Sequence, residues 1–297
     1  MADVSPELES ESRTLSALLR QGVQLLADAG IENAVNESAW IVEFVLAKSR
    51  VALHVEGQQA VKPSDWAHAM ILLARRASRE PLQYILGTQE FCGLDFEVAP
   101  DALIPRPETE LLVEEAVRRC ASLSSSYIAD IGTGSGCIAV ALAKRLPNAR
   151  VYAVDISEPA LALARRNAIR HAADMVTFLH GDLLAPIERL ELGRRFAAIV
   201  SNPPYIADGD FPTLPQEVRA YEPRLALSGG PNGLEIYRNL IHDAVEYLVP
   251  EGWLILEMGD GQAEQIRRMA REENGYGAIR TRSDHAGIER VLILEKE

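Results

Sequence analysis

The region after residue 107 alternates short, uniformly apolar segments with segments of helical periodicity, and this alternation constrains the fold most. Pro107 opens a helix that carries Val113, Ala116 and Cys120 on one face. Segments typical of buried strands occupy 127–131, 151–154, 176–179, 197–200, 253–257 and 290–294. Strands that alternate with helices usually pair in parallel, so the sequence predicts an α/β fold with a mostly parallel sheet covered on both faces.

The N-terminal region has a different character. Residues 12–78 show helical periodicity throughout and predict three or four short helices, in which the tryptophans, Trp40 among them, pack into the core. Apolar residues over 84–98, broken by Gly87 and Gly93, then predict a hairpin. The predicted organisation is a small N-terminal helical bundle over 1–78, a connector hairpin over 79–106 and a larger domain over 107–297.

Composition and charge exclude several classes of protein. The chain of 297 residues is 47% hydrophobic and 25% charged, which is ordinary for a globular protein. Its formal charge of −13 argues against stable nucleic-acid binding through phosphate contacts. The three cysteines form no C-x-x-C, no apolar run approaches the roughly 20 residues of a membrane helix, and the acidic N-terminus does not resemble a signal peptide. We expect a cytoplasmic protein without a metal or a membrane partner.

A glycine-rich bend follows the first strand of the larger domain and leads directly into a helix that begins near Cys137. The bend consists of Gly132, Thr133, Gly134, Ser135 and Gly136. Glycines let a backbone approach a ligand closely, and the helix N-terminus presents unpaired N–H groups. The spacing is G-x-G-x-G, which differs from the G-x-G-x-x-G of dinucleotide-binding folds.

Two carboxylates follow the next two strands. Asp155 ends the second strand, where it can accept hydrogen bonds from both hydroxyls of a ribose, and Asp182 follows the third strand, where it can accept one from an adenine amino group. Open α/β sheets bind ligands along this edge. Together with the glycine bend, these residues resemble the class I S-adenosylmethionine-dependent methyltransferases, which have a Rossmann-like fold. The resemblance implies S-adenosyl-L-methionine as the cofactor.

The fourth strand ends at Asn202, Pro203, Pro204 and Tyr205. Amide and aromatic amino nitrogens are poor nucleophiles because their lone pair is delocalised. The side-chain oxygen of Asn202 and the backbone carbonyl of Pro203 are candidate acceptors that hold such an N–H₂ group and aim it at the methyl donor, while Tyr205 shapes the pocket. Two successive prolines stiffen the bend, and the predicted rate gain comes from orientation and preorganised dipoles.

Asn-Pro-Pro-Tyr resembles the signature of methyltransferases that act on adenine, cytosine or glutamine nitrogen, and by itself it does not choose among them. Other segments resemble the release factor glutamine N5-methyltransferases, the PrmC/HemK family. These segments are Pro-Leu-Gln-Tyr-Ile-Leu-Gly over 81–87, Leu-Ile-Pro-Arg-Pro-Glu-Thr-Glu over 103–110, Tyr-Glu-Pro over 221–223, and Gly229-Gly230 with Gly233-Leu234. The resemblance by motif spans roughly residues 80–295.

This resemblance implies a substrate and a set of roles. The methyl acceptor is the glutamine of the Gly-Gly-Gln tripeptide in class 1 peptide chain release factors, and the helical domain helps to hold that partner. The glycine bend, Asp155 and Asn202 contact the cofactor, and residues 202–205 contact the glutamine. Leu183 stands where many relatives have an aromatic residue, so it implies plain apolar contact with the adenine.

Three other functions stay open at this point. An N6-adenine DNA or RNA methyltransferase needs a basic groove and a pocket for a flipped base, and neither is visible in the sequence. A non-catalytic translation-factor binding module does not need an intact Asn-Pro-Pro-Tyr, and a nicotinamide oxidoreductase is disfavoured by the glycine spacing. Arg106 is either a ligand for cofactor or release factor or an exposed linker residue. The segment 208–215 is either a loop over the substrate or a plain surface loop.

Overall fold

A computed structural model describes residues 13–190 and 195–297. Residues 1–12, which carry the acidic N-terminus, lie outside the described residues. The chain divides into two compact units, Met1–Gly87 and Thr88–Glu297. Within the described residues, no helix is both long enough and apolar enough to cross a membrane.

The first unit is helical, as predicted. Thr14 caps the first helix by accepting a hydrogen bond from the backbone N–H of Ala17 at 3.2 Å. Leu18 and Leu26 of this helix and Leu73 are fully buried. The helices are α1 Leu15–Asp28, α2 Ala34–Leu46, α3 Arg50–Val55, α4 Pro63–Ala77 and the single turn α5 Leu82–Leu86.

Two predictions for this unit are wrong in detail. Trp40 does not pack into the core, since 42% of it is exposed and the guanidinium of Arg50 lies 5.9 Å from its ring centroid. Helix α2 is apolar on several faces, so periodicity alone does not choose the buried one, which carries Ile41. Tyr84 lies in α5 and not in the hairpin, because Gly87, with a left-handed φ of +76°, ends a helical turn there.

The second unit begins with the hairpin and continues with the α/β domain. Strands β1 Thr88–Phe91 and β2 Leu94–Glu97 pair antiparallel. The remaining helices are α6 Glu110–Cys120, α7 Cys137–Arg145, α8 Glu158–Arg170, α9 Ala185–Glu188, α10 Gln216–Tyr221, α11 Glu235–Tyr247 and α12 Ala263–Glu272. The remaining strands are β3 Ser126–Ile131, β4 Ala149–Asp155, β5 Val176–His180, β6 Phe196–Ser201, β7 Leu248–Glu257, β8 Tyr276–Ser283 and β9 Glu289–Lys296.

The large sheet confirms the predicted fold class. Its strand order is β5-β4-β3-β6-β7-β9-β8. The first five strands in this order pair in parallel, and β9 runs antiparallel to both of its neighbours. The chain leaves β3 toward β4 on one side and returns to β6 on the other, so the topological switch point lies at the carboxyl end of β3.

The sheet is covered on both faces because its strand residues alternate between two cores. Ile255 and Ile293 join a core with α6, α7 and the β1–β2 hairpin. Leu254, Leu256 and Leu292 join a second core with α11 and α12. Uniformly apolar strands are what a sheet buried on both sides requires.

Candidate active site

The glycine bend between β3 and α7 has the backbone that its sequence predicts. Gly132, Gly134 and Gly136 have left-handed φ angles of +73°, +55° and +80°, a region that residues with a Cβ rarely adopt. The N–H groups of Gly132 and Thr133 both donate to the carbonyl oxygen of Val154 at 2.9 Å. The bend is therefore tied to the end of β4.

Gly136 serves packing, because a Cβ at this position would lie 2.9 Å from the Cβ of Ala164 and 3.1 Å from its Cα. The close approach lets the N-terminus of α7 pack against α8. Nearby, the buried Asn167 of α8 donates to the carbonyl oxygens of Ser135 at 2.9 Å and Glu97 at 3.0 Å, and accepts from the N–H of Glu97 at 2.8 Å. Asn167 thus fixes the bend and the hairpin to one helix.

Asp155 is held by the backbone on both sides. Its Oδ2 accepts from the N–H of Gly134 at 2.8 Å, and its Oδ1 accepts from the N–H of Ser157 at 2.8 Å. Burial raises the pKa of this carboxyl above its usual range, against the effect of the backbone hydrogen bonds. Each oxygen keeps further lone pairs, so the carboxylate can still accept from a ligand diol.

A cavity of about 220 Å³ lies at the switch point. Its lining combines the glycine bend with the ends of the neighbouring strands, and Gly136 is the one residue of the bend outside it. The predicted residues that line it are Gly132, Thr133, Gly134, Ser135, Asp155, Asp182, Leu183, Asn202, Pro203 and Pro204. Asp101, Asp155 and Asp182 supply carboxylates and Arg106 a guanidinium, so the charged part of the described lining favours a cation.

The Asn-Pro-Pro-Tyr corner lies beside the glycine bend. The hydroxyl of Ser201 donates to the carbonyl oxygen of Ile131 at 2.6 Å, which clamps the end of β6 to the end of β3. The side-chain Nδ2 of Asn202 donates to the Oγ1 of Thr109 at 3.2 Å. Among the described residues, no hydrogen bond reaches Oδ1 of Asn202 or the carbonyl oxygen of Pro203, so both acceptors stay available to a ligand.

A second, larger cavity of about 720 Å³ also adjoins this corner. It is called the outer cavity below, and the cavity at the switch point is called the inner cavity. Asn202 and Pro203 line both cavities, and Tyr205 lines only the second. Burial raises the pKa of the Tyr205 phenol. The side-chain Nε2 of Gln262 donates to the carbonyl oxygen of Tyr205 at 3.0 Å and holds this end of the corner.

Gly229 and Gly233 pack against the backbone of the Asn-Pro-Pro-Tyr corner. A Cβ at Gly229 would lie 2.7 Å from the carbonyl oxygen of Pro204, and one at Gly233 would lie 2.3 Å from that of Tyr205. The N–H of Gly229 donates to the carbonyl oxygen of Ile206 at 2.9 Å. Only glycine allows so close an approach, which explains physically why this motif accompanies the corner.

Arg106 is not the exposed linker residue that the sequence left open. Its guanidinium pairs with the carboxylate of Glu222, whose side chain is only 2% exposed. The second oxygen of Glu222 accepts from the backbone N–H of Ile104 at 3.2 Å. Two of the sequence motifs, over 103–110 and 221–223, therefore meet in one ion pair beside both cavities.

The segment Asp208–Thr213 forms a 3-10 helix, and its Asp210 lines the outer cavity.

Comparisons with known proteins identify the family. The family model of the PrmC N-terminal domain matches residues 17–87, and that of the methyltransferase small domain matches residues 107–218. The release factor glutamine methyltransferase of Geobacter sulfurreducens is 51% identical over 90% of this chain and 91% of its own length. That of Moorella thermoacetica is 42% identical over 94% of this chain and 98% of its own length. The chain belongs to the release factor glutamine methyltransferase family.

A solved structure supports the fold of this methyltransferase. A methyltransferase from Pyrococcus furiosus aligns with a TM-score of 0.51 at 22% identity, covering 69% of this chain and 89% of its own. At that identity the likeness shows the fold alone. The family membership confirms the resemblance that the motifs indicate, and with it an enzyme that transfers methyl groups.

Three residues of the site were not found by sequence reasoning. Thr109 holds Asn202, Gln262 holds Tyr205, and Glu257 is a buried carboxyl at the end of β7 that accepts a hydrogen bond from Thr109. Thr109 stands in the motif over 103–110, but the motif does not show its role, because its partner Asn202 lies 93 positions away. Gln262 carries no signal of its own, because its partner lies 57 positions away. Glu257 does carry one, since it ends a predicted strand in the same way as Asp155.

Proposed function

We propose that this methyltransferase transfers the methyl group of S-adenosyl-L-methionine to the side-chain N5 of the glutamine in the Gly-Gly-Gln motif of class 1 peptide chain release factors. The observation that carries the proposal is the position of Asn202 and Pro203 in the wall shared by two cavities. The residues that line both cavities are Asn202 and Pro203 together with Leu103, Arg106 and Ala226. A donor bound in one cavity and an acceptor nitrogen bound in the other can therefore meet beside Asn202 and Pro203. The names of the relatives point to the same substrate.

The inner cavity suits S-adenosylmethionine by its chemistry. Asp155 offers acceptors for the ribose hydroxyls, and Leu183 and Ile156 offer apolar contact for the adenine. We assign the adenine amino group to Asp182, which is exposed at the same edge. S-adenosylmethionine carries a positive sulfonium, and three carboxylates against one guanidinium among the described lining residues favour such a ligand.

The chain's own residues contribute orientation. Oδ1 of Asn202 and the carbonyl oxygen of Pro203 accept the two N–H groups of the glutamine amide and direct its nitrogen at the methyl group, while Tyr205 packs beside the planar amide. As the new N–C bond forms, the S–C bond breaks and its electron pair stays with sulfur. The methylated nitrogen then loses one proton to water. Good alignment is worth about 7–11 kcal/mol in favourable cases.

We further propose that residues 1–78 form a domain that helps to hold the release factor, that 79–106 connect it to the catalytic domain over 107–297, and that the enzyme acts in the cytoplasm. The matched model over 17–87 is named for this family's N-terminal domain, which supports a family-specific role. Deleting residues 1–78 should raise KM for the release factor while the dissociation constant for S-adenosylmethionine stays within about threefold of wild type.

An N6-adenine nucleic-acid methyltransferase is the nearest alternative. The outer cavity is lined by Asp210 and Asp260 as well as Arg106, which does not favour a phosphate backbone. Purified enzyme with labelled S-adenosylmethionine and either a release factor or nucleic acid separates the two functions. We expect label in the release factor only, and a mass increase of one methyl group on the tryptic peptide that bears Gly-Gly-Gln. Label in nucleic acid alone would refute the proposal.

A further inference from the structure

A chain of three polar side chains, two of them buried, begins at Asn202 of the Asn-Pro-Pro-Tyr corner. Nδ2 of Asn202 donates to Oγ1 of Thr109 at 3.2 Å. The Thr109 side chain also lies next to the carboxyl of Glu257, where its hydroxyl lowers the pKa of that carboxyl as a hydrogen-bond donor. Thr109 is 2% exposed and Glu257 is 3% exposed. The three residues come from the end of β6, the 3-10 turn Pro107–Thr109 and the end of β7, so the fold brings together three separate parts of the chain.

The direction of these hydrogen bonds follows from the number of hydrogens. A threonine hydroxyl has one hydrogen, and an ionised carboxylate can only accept. With Glu257 ionised, the Thr109 hydroxyl gives its hydrogen to Glu257 and can only accept from Asn202. Asn202 must then turn its Nδ2 toward Thr109, and its planar amide turns Oδ1 the opposite way.

We propose that Thr109 and Glu257 are positioning residues that fix the side-chain amide of Asn202 with Oδ1 presented to the substrate nitrogen. This inference rests on the proposed function, in which that oxygen accepts an N–H of the glutamine amide. The two residues explain why the Asn202 amide has this orientation. If the amide were rotated by half a turn, its N–H groups would face the N–H groups of the substrate amide and repel them.

The surroundings of Glu257 compensate its buried carboxyl only in part. Among the described residues, its Oε2 has no hydrogen-bond partner. Arg106 and Arg290 are the nearby cations, but each is engaged by another acid, Glu222 and Asp284 respectively. Burying a carboxyl without full compensation by hydrogen bonds or an ion pair destabilises a fold. A buried, poorly compensated carboxyl beside a site is therefore more simply explained by function than by stability.

The charged and titratable groups that face Glu257 also define its pH response. They are Glu108, Arg106, Arg290, Tyr205 and Tyr237. Burial is the largest effect and raises the pKa of Glu257 to about 7. Below that pH the neutral carboxyl can donate to Thr109, which frees the hydroxyl hydrogen and removes the fixed direction. We expect kcat to rise with pH through about 7 in the wild type and to lose this step in Glu257→Gln.

Kinetics of Thr109→Val test the proposal. Valine keeps the shape and removes both hydrogen bonds, so we expect kcat to fall by roughly tenfold to a hundredfold, since small misplacements in a site cost that much. KM for the release factor and the dissociation constant for S-adenosylmethionine should stay within about twofold. Thr109→Ser keeps the hydroxyl and should restore kcat to within about threefold of wild type. Wild-type kcat in a folded Thr109→Val enzyme would overturn the proposal.

A second readout does not depend on the substrate. In ¹⁵N-labelled enzyme, the side-chain amide protons of Asn202 should exchange slowly with solvent in wild type and Thr109→Ser, and quickly in Thr109→Val and Glu257→Gln. Unchanged exchange in both of the latter would refute the positioning role even if the enzyme methylates release factors. The expected exchange pattern in an enzyme that does not methylate glutamine would instead refute the proposed function and leave the positioning intact.

Discussion

At the residue scale, the Asn-Pro-Pro-Tyr corner carries two acceptor oxygens that no described protein group hydrogen-bonds. Oδ1 of Asn202 and the carbonyl oxygen of Pro203 have no hydrogen-bond donor among the described residues. The two ends of the corner, by contrast, are fixed by hydrogen bonds. The Ser201 hydroxyl donates to the carbonyl oxygen of Ile131, and Nε2 of Gln262 donates to that of Tyr205. Acceptors fixed in place before the substrate arrives need no reorganisation during the reaction, which is the condition for efficient electrostatic catalysis.

Asn202→Ala should therefore lower kcat by at least about a hundredfold, a typical effect of removing one preorganised hydrogen bond from a site. Binding of S-adenosylmethionine, measured by calorimetry, should weaken by no more than about fivefold because Asp155 and the glycine bend remain. Asn148→Ala, in an exposed turn, is the matched control and should keep wild-type activity. Equal turnover of the two variants would rule out the assigned role of Asn202.

Asp155→Asn should weaken binding of S-adenosylmethionine by roughly tenfold to a hundredfold, since hydrogen bonds to a charged group are worth about 1.5–3 kcal/mol. The substituted amide also brings its own N–H₂ against the N–H of Gly134 or of Ser157, both of which now donate to the carboxylate. Asp174→Asn, in an exposed turn, is the control. Calorimetric titration of both variants with S-adenosylmethionine measures the two affinities. Equal affinities would contradict the role of Asp155 in binding this ligand.

At the element scale, the glycine bend works because α7 and α8 meet almost backbone to backbone. Gly136 combines a left-handed φ of +80° with a Cβ position only 2.9 Å from Ala164. The N-terminus of α7 can therefore lie close to the end of β4, where Asp155 accepts a hydrogen bond from the N–H of Gly134. Gly136 does not line the inner cavity, yet its packing against Ala164 sets the position of the glycine bend that does.

Gly136→Ala should lower the free energy of unfolding by about 1–3 kcal/mol, the usual cost of overpacking, with backbone strain added. Gly277→Ala is the control, because Gly277 has an ordinary φ and the nearest atom to its added Cβ lies 3.4 Å away in the flexible side chain of Glu297. Urea denaturation measures both. If the two variants lose the same small amount, the packing argument for Gly136 is wrong.

Sequence reasoning recovered the elements whose signal is local. Asp155 and Asn202 could be predicted as cavity residues because Asp155 ends one strand and Asn202 directly follows another, and both line the inner cavity. Strand β8 was missed because it is partly exposed and carries Arg280 and Arg282, so it lacks the uniform apolar run of its neighbours. Thr109 lies in the motif over 103–110, but its role could not be predicted, since only the tertiary fold brings it to Asn202, 93 positions away.

At the scale of the whole molecule, strands β3, β4 and β7 carry buried or half-buried carboxyls near their carboxyl ends. Asp130 of β3 and Glu257 of β7 are 0% and 3% exposed, and Asp155 ends β4. The Oδ1 of Asp130 has no hydrogen-bond partner among the described residues, while its Oδ2 accepts from Thr133 at 2.6 Å and from the N–H of Ala139 at 3.1 Å. Burying a carboxyl that is only partly hydrogen-bonded carries an electrostatic cost that the rest of the fold must offset.

That cost predicts how stability depends on pH. Burial raises the pKa of Asp130 from 3.8 to about 7, so between these values the folded protein binds a proton that the unfolded chain has lost. Its contribution to stability therefore falls as pH rises from about 4 to 7, by at most about 1.4 kcal/mol per pH unit for one proton. Above pH 7 the contribution is constant.

Asp130→Asn removes this proton, so the wild-type free energy of unfolding minus that of the variant should decrease from pH 4 to pH 7 and then level off. Carboxyls with a lowered pKa, such as Glu115 and Asp284, have the opposite sign, but they are common to both proteins and cancel in the difference. Urea denaturation at half-unit intervals of pH measures the curve. Parallel curves for the two proteins would mean that Asp130 is already ionised at pH 4, and the stored cost would have to lie elsewhere in the sheet.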